Sequence, residues 1–154
     1  MNAYTQIIKF EAAHKINTHL SRCRGIHGHS YKAEFICCAE SGQEVNGGSY
    51  LTLKSRLDYW VIKNVDFGLI LGSQEDLIFG ENISKLDISQ KIYYLNKEPT
   101  VTAIAEELYN ISQGLLLDTG LKCVQVKLWE SDYACGTFPF FNPDQSDQVL
   151  INIL

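Results

Sequence analysis

Three histidines and a thiol carry the chemistry legible in this chain: His14, Cys23, His27 and His29. The last three lie in the run Cys23-Arg-Gly-Ile-His27-Gly-His29. The chain has only four histidines, so three of them within residues 14–29 form a pattern rather than a scatter. Neutral imidazole nitrogens suit Zn²⁺, and three protein ligands leave a fourth position for water or substrate, as catalytic zinc sites do. Cys23 stands between Arg22 and Arg24, and neighbouring positive charge favours the reactive thiolate. The other cysteines read differently. Cys37, Cys38 and Cys123 sit in apolar, strand-like runs as small buried hydrophobes, whereas Cys135, between Ala134 and Gly136, belongs to a turn or loop.

Strands must position these groups. Residues 4–14 alternate as a strand, with Phe10, Ala12 and His14 on one face. Residues 15–26 have no periodicity and read as a long loop. Residues 27–39 form a second strand, in which His27, His29, Tyr31, Ala33, Phe35 and Cys37 share a face. An antiparallel pairing of the two brings His14 to His27 and His29. Residues 50–63 follow helical spacing through Leu53, Leu57, Trp60 and Val61, and residues 65–87 show no clear period. A short strand is expected at 91–95 and a helix from Pro99-Thr100 to about Gly114, striped by Ile104, Leu108 and Ile111. A long strand follows at 123–130, and a final strand at 149–154. The order suggests an α+β domain: an antiparallel four-stranded sheet with two helices on one face.

Bulk properties narrow the function classes. A chain of 154 residues is expected to be a single domain, 1–154, able to bury a core. The net charge of −5 and the lack of a Lys/Arg cluster argue against a nucleic-acid partner. No apolar stretch approaches the roughly 20 residues of a membrane span, and no signal peptide is visible. Five cysteines, an odd number without a C-x-x-C pair, fit reduced thiols in the cytoplasm.

Phe10-Glu-Ala-Ala-His14 followed by Cys23-x-x-x-His27-Gly-His29 resembles the 6-pyruvoyltetrahydropterin synthase and 6-carboxytetrahydropterin synthase family. Val65-Asp66-Phe67 sits where that family has Leu-Asp-His. Glu98-Pro99-Thr100 is similar to its Asn-Pro-Thr helix start, and Val126-Lys-Leu-Trp-Glu130 to its Val-x-Val-Trp-Glu strand. The resemblance implies a tunnelling fold whose small subunits assemble into an oligomeric barrel, commonly a hexamer. It implies zinc on His14, His27 and His29, a reduced pterin held by Glu130 and Thr100, and a proton relay through Cys23 and Asp66. It also implies a lyase acting on 7,8-dihydroneopterin triphosphate. In the queuosine-pathway branch the product is 6-carboxy-5,6,7,8-tetrahydropterin.

Several positions depart from the family. Phe67 replaces the histidine of the Asp–His pair and cannot carry a proton. His19, in the loop before Cys23, is the one histidine left to stand in for it. Tyr50-Leu51-Thr52 lacks the Asp-Phe pair of the first-helix entry, and Pro99-Thr100-Val101-Thr102 lacks the acid that follows Pro-Thr. Two alternatives therefore accompany the lyase reading: a divergent paralogue acting on a related pterin, and a pterin-binding protein with little turnover.

Overall fold

The computed structural model describes residues 3–72, 76–86 and 89–141. Strand β1 (Ala3–His14) alternates exposed and buried positions from Gln6 onward, and β2 (His27–Ala39) does the same from Tyr31. Both ladders therefore turn one apolar face inward. The two pair antiparallel with His14 opposite His27 and Ala12 opposite His29, as the alternation predicts. On the other side of β2 lies β5 (Leu121–Ser131), antiparallel, followed by β6 (Ala134–Phe138). An irregularity at Ile36/Cys37 leaves Val124 as an extra residue in β5, so Cys123 and Val126 both face the core.

Helix α1 (Gly47–Asn64) starts where the Asn46 side chain accepts from the N–H groups of Gly48 and Ser49. It buries Leu53, Leu57 and Val61, one stripe at i, i+4, i+8. Helix α3 (Val101–Leu115) is capped by Thr100, whose hydroxyl accepts from Ala103 N–H at 3.2 Å, and it buries Ile104 and Leu108. These two helices pack on the same face of the sheet as the β1, β2 and β5 core residues.

The sheet is not the antiparallel four-stranded one expected. It has six strands in the order β4-β3-β1-β2-β5-β6, and it is mixed. Residues 65–87 add β3 (Gly68–Gly72) and α2 (Leu77–Ser84) ahead of β4 (Lys91–Leu95), and β6 is the other strand not expected. β3 pairs parallel to both β1 and β4. A helical crossover returns the chain to the end of the sheet it left, so a strand–helix–strand unit makes a parallel pair. All five residues of β3 are buried, which erases the alternation that would have marked it. There are three α-helices rather than two among the described residues. The strand expected at 149–154 lies outside the described residues.

Candidate metal centre and its surroundings

The β1–β2 register sets three imidazoles at one end of the sheet. The ligand nitrogens of His14, His27 and His29 all lie within 4.8 Å of one another. Ring centroids are 4.5 Å apart for His14–His27 and 5.0 Å for each of the other two pairs. His14 is buried, while His27 and His29 are half-buried.

Backbone carbonyls fix two of the rings. His14 Nδ1–H donates to the Pro99 carbonyl at 2.7 Å, and His27 Nδ1–H donates to the Gly25 carbonyl at 2.9 Å. A carbonyl only accepts, so the proton of each ring is on Nδ1 and the lone pair is on Nε2. The two Nε2 atoms then face each other at 3.0 Å. Two lone pairs at that distance repel unless a cation sits between them. Nitrogens held about 2.0–2.1 Å from one ion at a tetrahedral angle stand about 3.3 Å apart, so the pair has the spacing of metal ligands. Burial lowers the His14 pKa to about 4, with smaller contributions from His27 and His29, and only the Pro99 hydrogen bond opposes them. A ring kept neutral in this way is a ready ligand.

Residues 98–100 serve the site three times in succession. Glu98 grips the loop between β1 and β2, accepting from Thr18 N–H at 2.7 Å and from the Thr18 hydroxyl at 2.5 Å. Pro99 orients His14, and Thr100 starts α3. A second grip comes from Asp76, 1 % exposed, which pairs with Lys15 Nζ at 2.9 Å and accepts from Asn17 Nδ2 at 3.1 Å. Asp76 and the grip of Glu98 escaped the sequence reading. Asp76 lies in the stretch without periodicity, where nothing marks an acid as buried.

The held loop carries Cys23 in a single 3₁₀ turn, Arg22–Arg24, where it is half-buried. The Cys23 carbonyl accepts from Ile16 N–H at 3.3 Å, which closes the loop on itself. Cys37, Cys38 and Cys123 are buried as expected, whereas Cys135 is exposed and lies on strand β6 rather than in a turn or loop. His19 is exposed, and its Nδ1 is taken by the N–H and hydroxyl of Ser21 at 3.2 and 2.9 Å.

Glu130 and Trp129 are neighbours on β5 and point to opposite faces. Trp129 lies on the outer face, under Lys32 and Lys127 at 4.8 and 4.4 Å, with its indole N–H donating to Glu34 at 3.2 Å. Glu130 falls at the irregularity between Trp129 and Ser131, half-buried, with its charge acting on Tyr31 of the core face. Bulges commonly re-aim a side chain next to a site.

Asp66 and Phe67 form the turn between α1 and β3. Asp66 Oδ1 accepts from Glu11 N–H at 2.9 Å, tying the turn to β1. Phe67 has φ 54° and is 78 % exposed, beside a cleft of about 290 Å³ that Gly28, His29 and Ser30 also line. A left-handed aromatic is an outlier, whereas histidine is among the residues enriched there. Gly68 is required at the next position, because a Cβ would sit 2.8 Å from the Val65 carbonyl oxygen. Among the described residues, no hydrogen bond or ion pair joins Asp66 to Cys23 within one chain.

Fold and site together define an α+β protein with a curled mixed sheet and a three-histidine centre. The fold is shared with solved pterin synthases. The chain is similar to the 6-pyruvoyl tetrahydropterin synthase of Caenorhabditis elegans, with a TM-score of 0.60 at 15% identity over 91% of this chain and 96% of that one. It is also similar to an uncharacterized protein of Wolinella succinogenes, with a TM-score of 0.64 at 13% identity, covering 89% and 98%. In sequence it is 33% identical over 132 residues to the 6-carboxy-5,6,7,8-tetrahydropterin synthase of Rickettsia typhi, covering 82% of this chain and 92% of that protein. It is 36% identical over 107 residues to the Rickettsia bellii protein of the same name, covering 69% and 76%. The family model described as 6-pyruvoyl tetrahydropterin synthase matches residues 4–139. The chain belongs to the 6-pyruvoyl tetrahydropterin synthase family.

Proposed function

We propose that the chain is a zinc-dependent carbon–oxygen/carbon–carbon lyase that converts 7,8-dihydroneopterin triphosphate and one water to 6-carboxy-5,6,7,8-tetrahydropterin, acetaldehyde and triphosphate. The observation that carries this reading is the pair of facing Nε2 atoms of His14 and His27, 3.0 Å apart and each fixed by a carbonyl. The name of the Rickettsia relatives, 6-carboxy-5,6,7,8-tetrahydropterin synthase, supports the product.

His14, His27 and His29 would hold the ion, which as a Lewis acid makes protons beside coordinated oxygens more acidic. The remaining chemistry belongs to the chain. Glu130 accepts from the 2-amino and ring N–H groups of the pterin, which a carboxylate can do with two parallel bonds. Thr100 contacts the same ligand from the start of α3. Cys23, on the loop clasped by Glu98 and Asp76, would take a proton from a side-chain carbon of the substrate, and Asp66 belongs to the relay. We include the oligomeric barrel, a hexamer, and a cytoplasmic setting in this proposal. Among the described residues, β4 and β6 end the sheet with backbone edges that a second copy can pair with, and all five cysteines are free.

Zinc-loaded protein incubated with 7,8-dihydroneopterin triphosphate should yield 6-carboxytetrahydropterin by mass spectrometry, and Cys23→Ala should slow the reaction at least 100-fold. Intact substrate with a pterin-free protein would sink the assignment. Phe67 favours a second reading, in which a pterin is bound but turned over slowly or is a related one. Tight binding of dihydroneopterin with less than one turnover per site would select that reading.

A further inference from the structure

Tyr31 carries a polar atom that the fold leaves unserved: among the described residues, its hydroxyl is the buried side-chain donor without a hydrogen-bond partner. The residue is 1 % exposed. Rings frame it on three sides, with Phe10 stacked at 5.1 Å and the edges of His29 and His14 at 5.5 and 6.1 Å. Phenylalanine would fill this space without the cost of burying an unpaired hydroxyl, and such orphans in native proteins call for an explanation.

Glu130 provides the counterpart. Beyond the Lys32–Trp129 pair, the β2–β5 register continued by one residue sets Tyr31 opposite Glu130, on the core face. The Glu130 charge acts on the phenol, which burial and that charge together push above its usual range. Among the described residues, the Glu130 carboxylate takes no hydrogen bond or ion pair. A donor without an acceptor therefore lies beside an acceptor without a donor. Glu130 is half-buried, so solvent can serve it until a ligand covers it.

We propose that Tyr31 is a positioning residue for Glu130. Its hydroxyl donates from the core side to the carboxylate when a pterin engages it, fixing the plane in which the oxygens accept from the ligand. The inference rests on the reading of Glu130 as the ring anchor. A carboxylate has about four acceptor sites, so one bond from Tyr31 leaves enough for two N–H groups of the ligand.

The test is a double-mutant cycle on the zinc-loaded protein, with 7,8-dihydroneopterin as the probe in a fluorescence titration. Tyr31→Phe should weaken binding roughly 10–100-fold, the range for a hydrogen bond to a charged group. In a Glu130→Gln background the same change should cost less than about 2-fold, because the two act as one unit. Zinc content should stay at the wild-type value, and the ligand-free melting temperature at or above it. Equal losses in both backgrounds, or no loss in the wild type, would overturn the proposal. So would a lower ligand-free melting temperature, which means the hydroxyl is already paired, or a loss of zinc. If Glu130→Gln itself leaves pterin binding intact, the ring-anchor reading fails and this inference goes with it. If Glu130→Gln weakens binding and Tyr31→Phe does not, only this inference fails.

Discussion

Phe67 stands where the family resemblance calls for a proton-carrying histidine. It occupies a left-handed turn position with φ 54°, is 78 % exposed, and precedes a glycine whose missing Cβ lets the turn close. Backbone and exposure both argue against a packing role. A bulky left-handed residue stores strain, and leaving an aromatic ring in water forfeits its burial. Histidine suits the same backbone better and can move a proton. Phe67→His is expected to leave the melting temperature within about 2 °C of the parent or raise it. If the histidine is what the relay lacks, it should raise kcat with dihydroneopterin triphosphate by roughly 10²-fold, the lower range for one general acid–base group. Steady-state kinetics of the two proteins decides the matter. An unchanged kcat would mean that the relay runs through other groups. The clustering of three histidines was legible at this scale because strand periodicity of two sends residues 27 and 29 to one side. Asp76 and the grip of Glu98 were not, since a carboxylate's burial depends on which loop folds over it.

Among the elements, the loop between β1 and β2 depends most on others for its place. It buries little of its own, and the fold holds it by its first residues: Thr18 on Glu98, and Lys15 and Asn17 on Asp76. Glu98 stands next to the carbonyl that orients His14, so one turn sets both the His14 ring and the Cys23 loop. Removing the Glu98 carboxylate is expected to free the loop without unfolding the sheet. Glu98→Ala should speed amide exchange across residues 16–24 at least 10-fold while leaving β1 and β2 protected, with a global cost of about 1 kcal/mol. Hydrogen-exchange mass spectrometry on the metal-loaded protein reads both. Uniform protection in loop and sheet would show that the clasp is dispensable. The long strands and both larger helices were readable because each has a period. The elements that were missed share a cause. β3 is buried on both faces and carries no alternation, α2 spans only eight residues, and β6 is five residues interrupted by Gly136. Missing β3 and α2 also hid the parallel pairs, since a parallel strand is recognised by the crossover that leads to it.

For the whole molecule, the three-histidine centre couples side-chain geometry to stability. His14 stands at the inner end of β1, buried, beside Tyr31 and the core cluster. Burial lowers its pKa from 6.5 to about 4, with His27 and His29 adding to the fall. The unfolded chain takes up a proton on this residue near pH 6.5, and the folded chain does so only near pH 4. Between those values the unfolded state binds more protons, so stability rises with pH across that window. The contribution is fully present above pH 6.5, is lost as pH falls towards 4, and levels off below. A gap of this size corresponds to at most about 3 kcal/mol. Urea unfolding of chelator-treated protein at several pH values from 4 to 7.5 should show this slope, and His14→Gln should flatten it. Saturating zinc should raise the whole curve at neutral pH and steepen its acid limb, because protons and metal compete for the same nitrogens. A chelated wild type whose stability does not change between pH 4 and 6.5 would mean that His14 is more accessible to protons than its place beneath Pro99 allows.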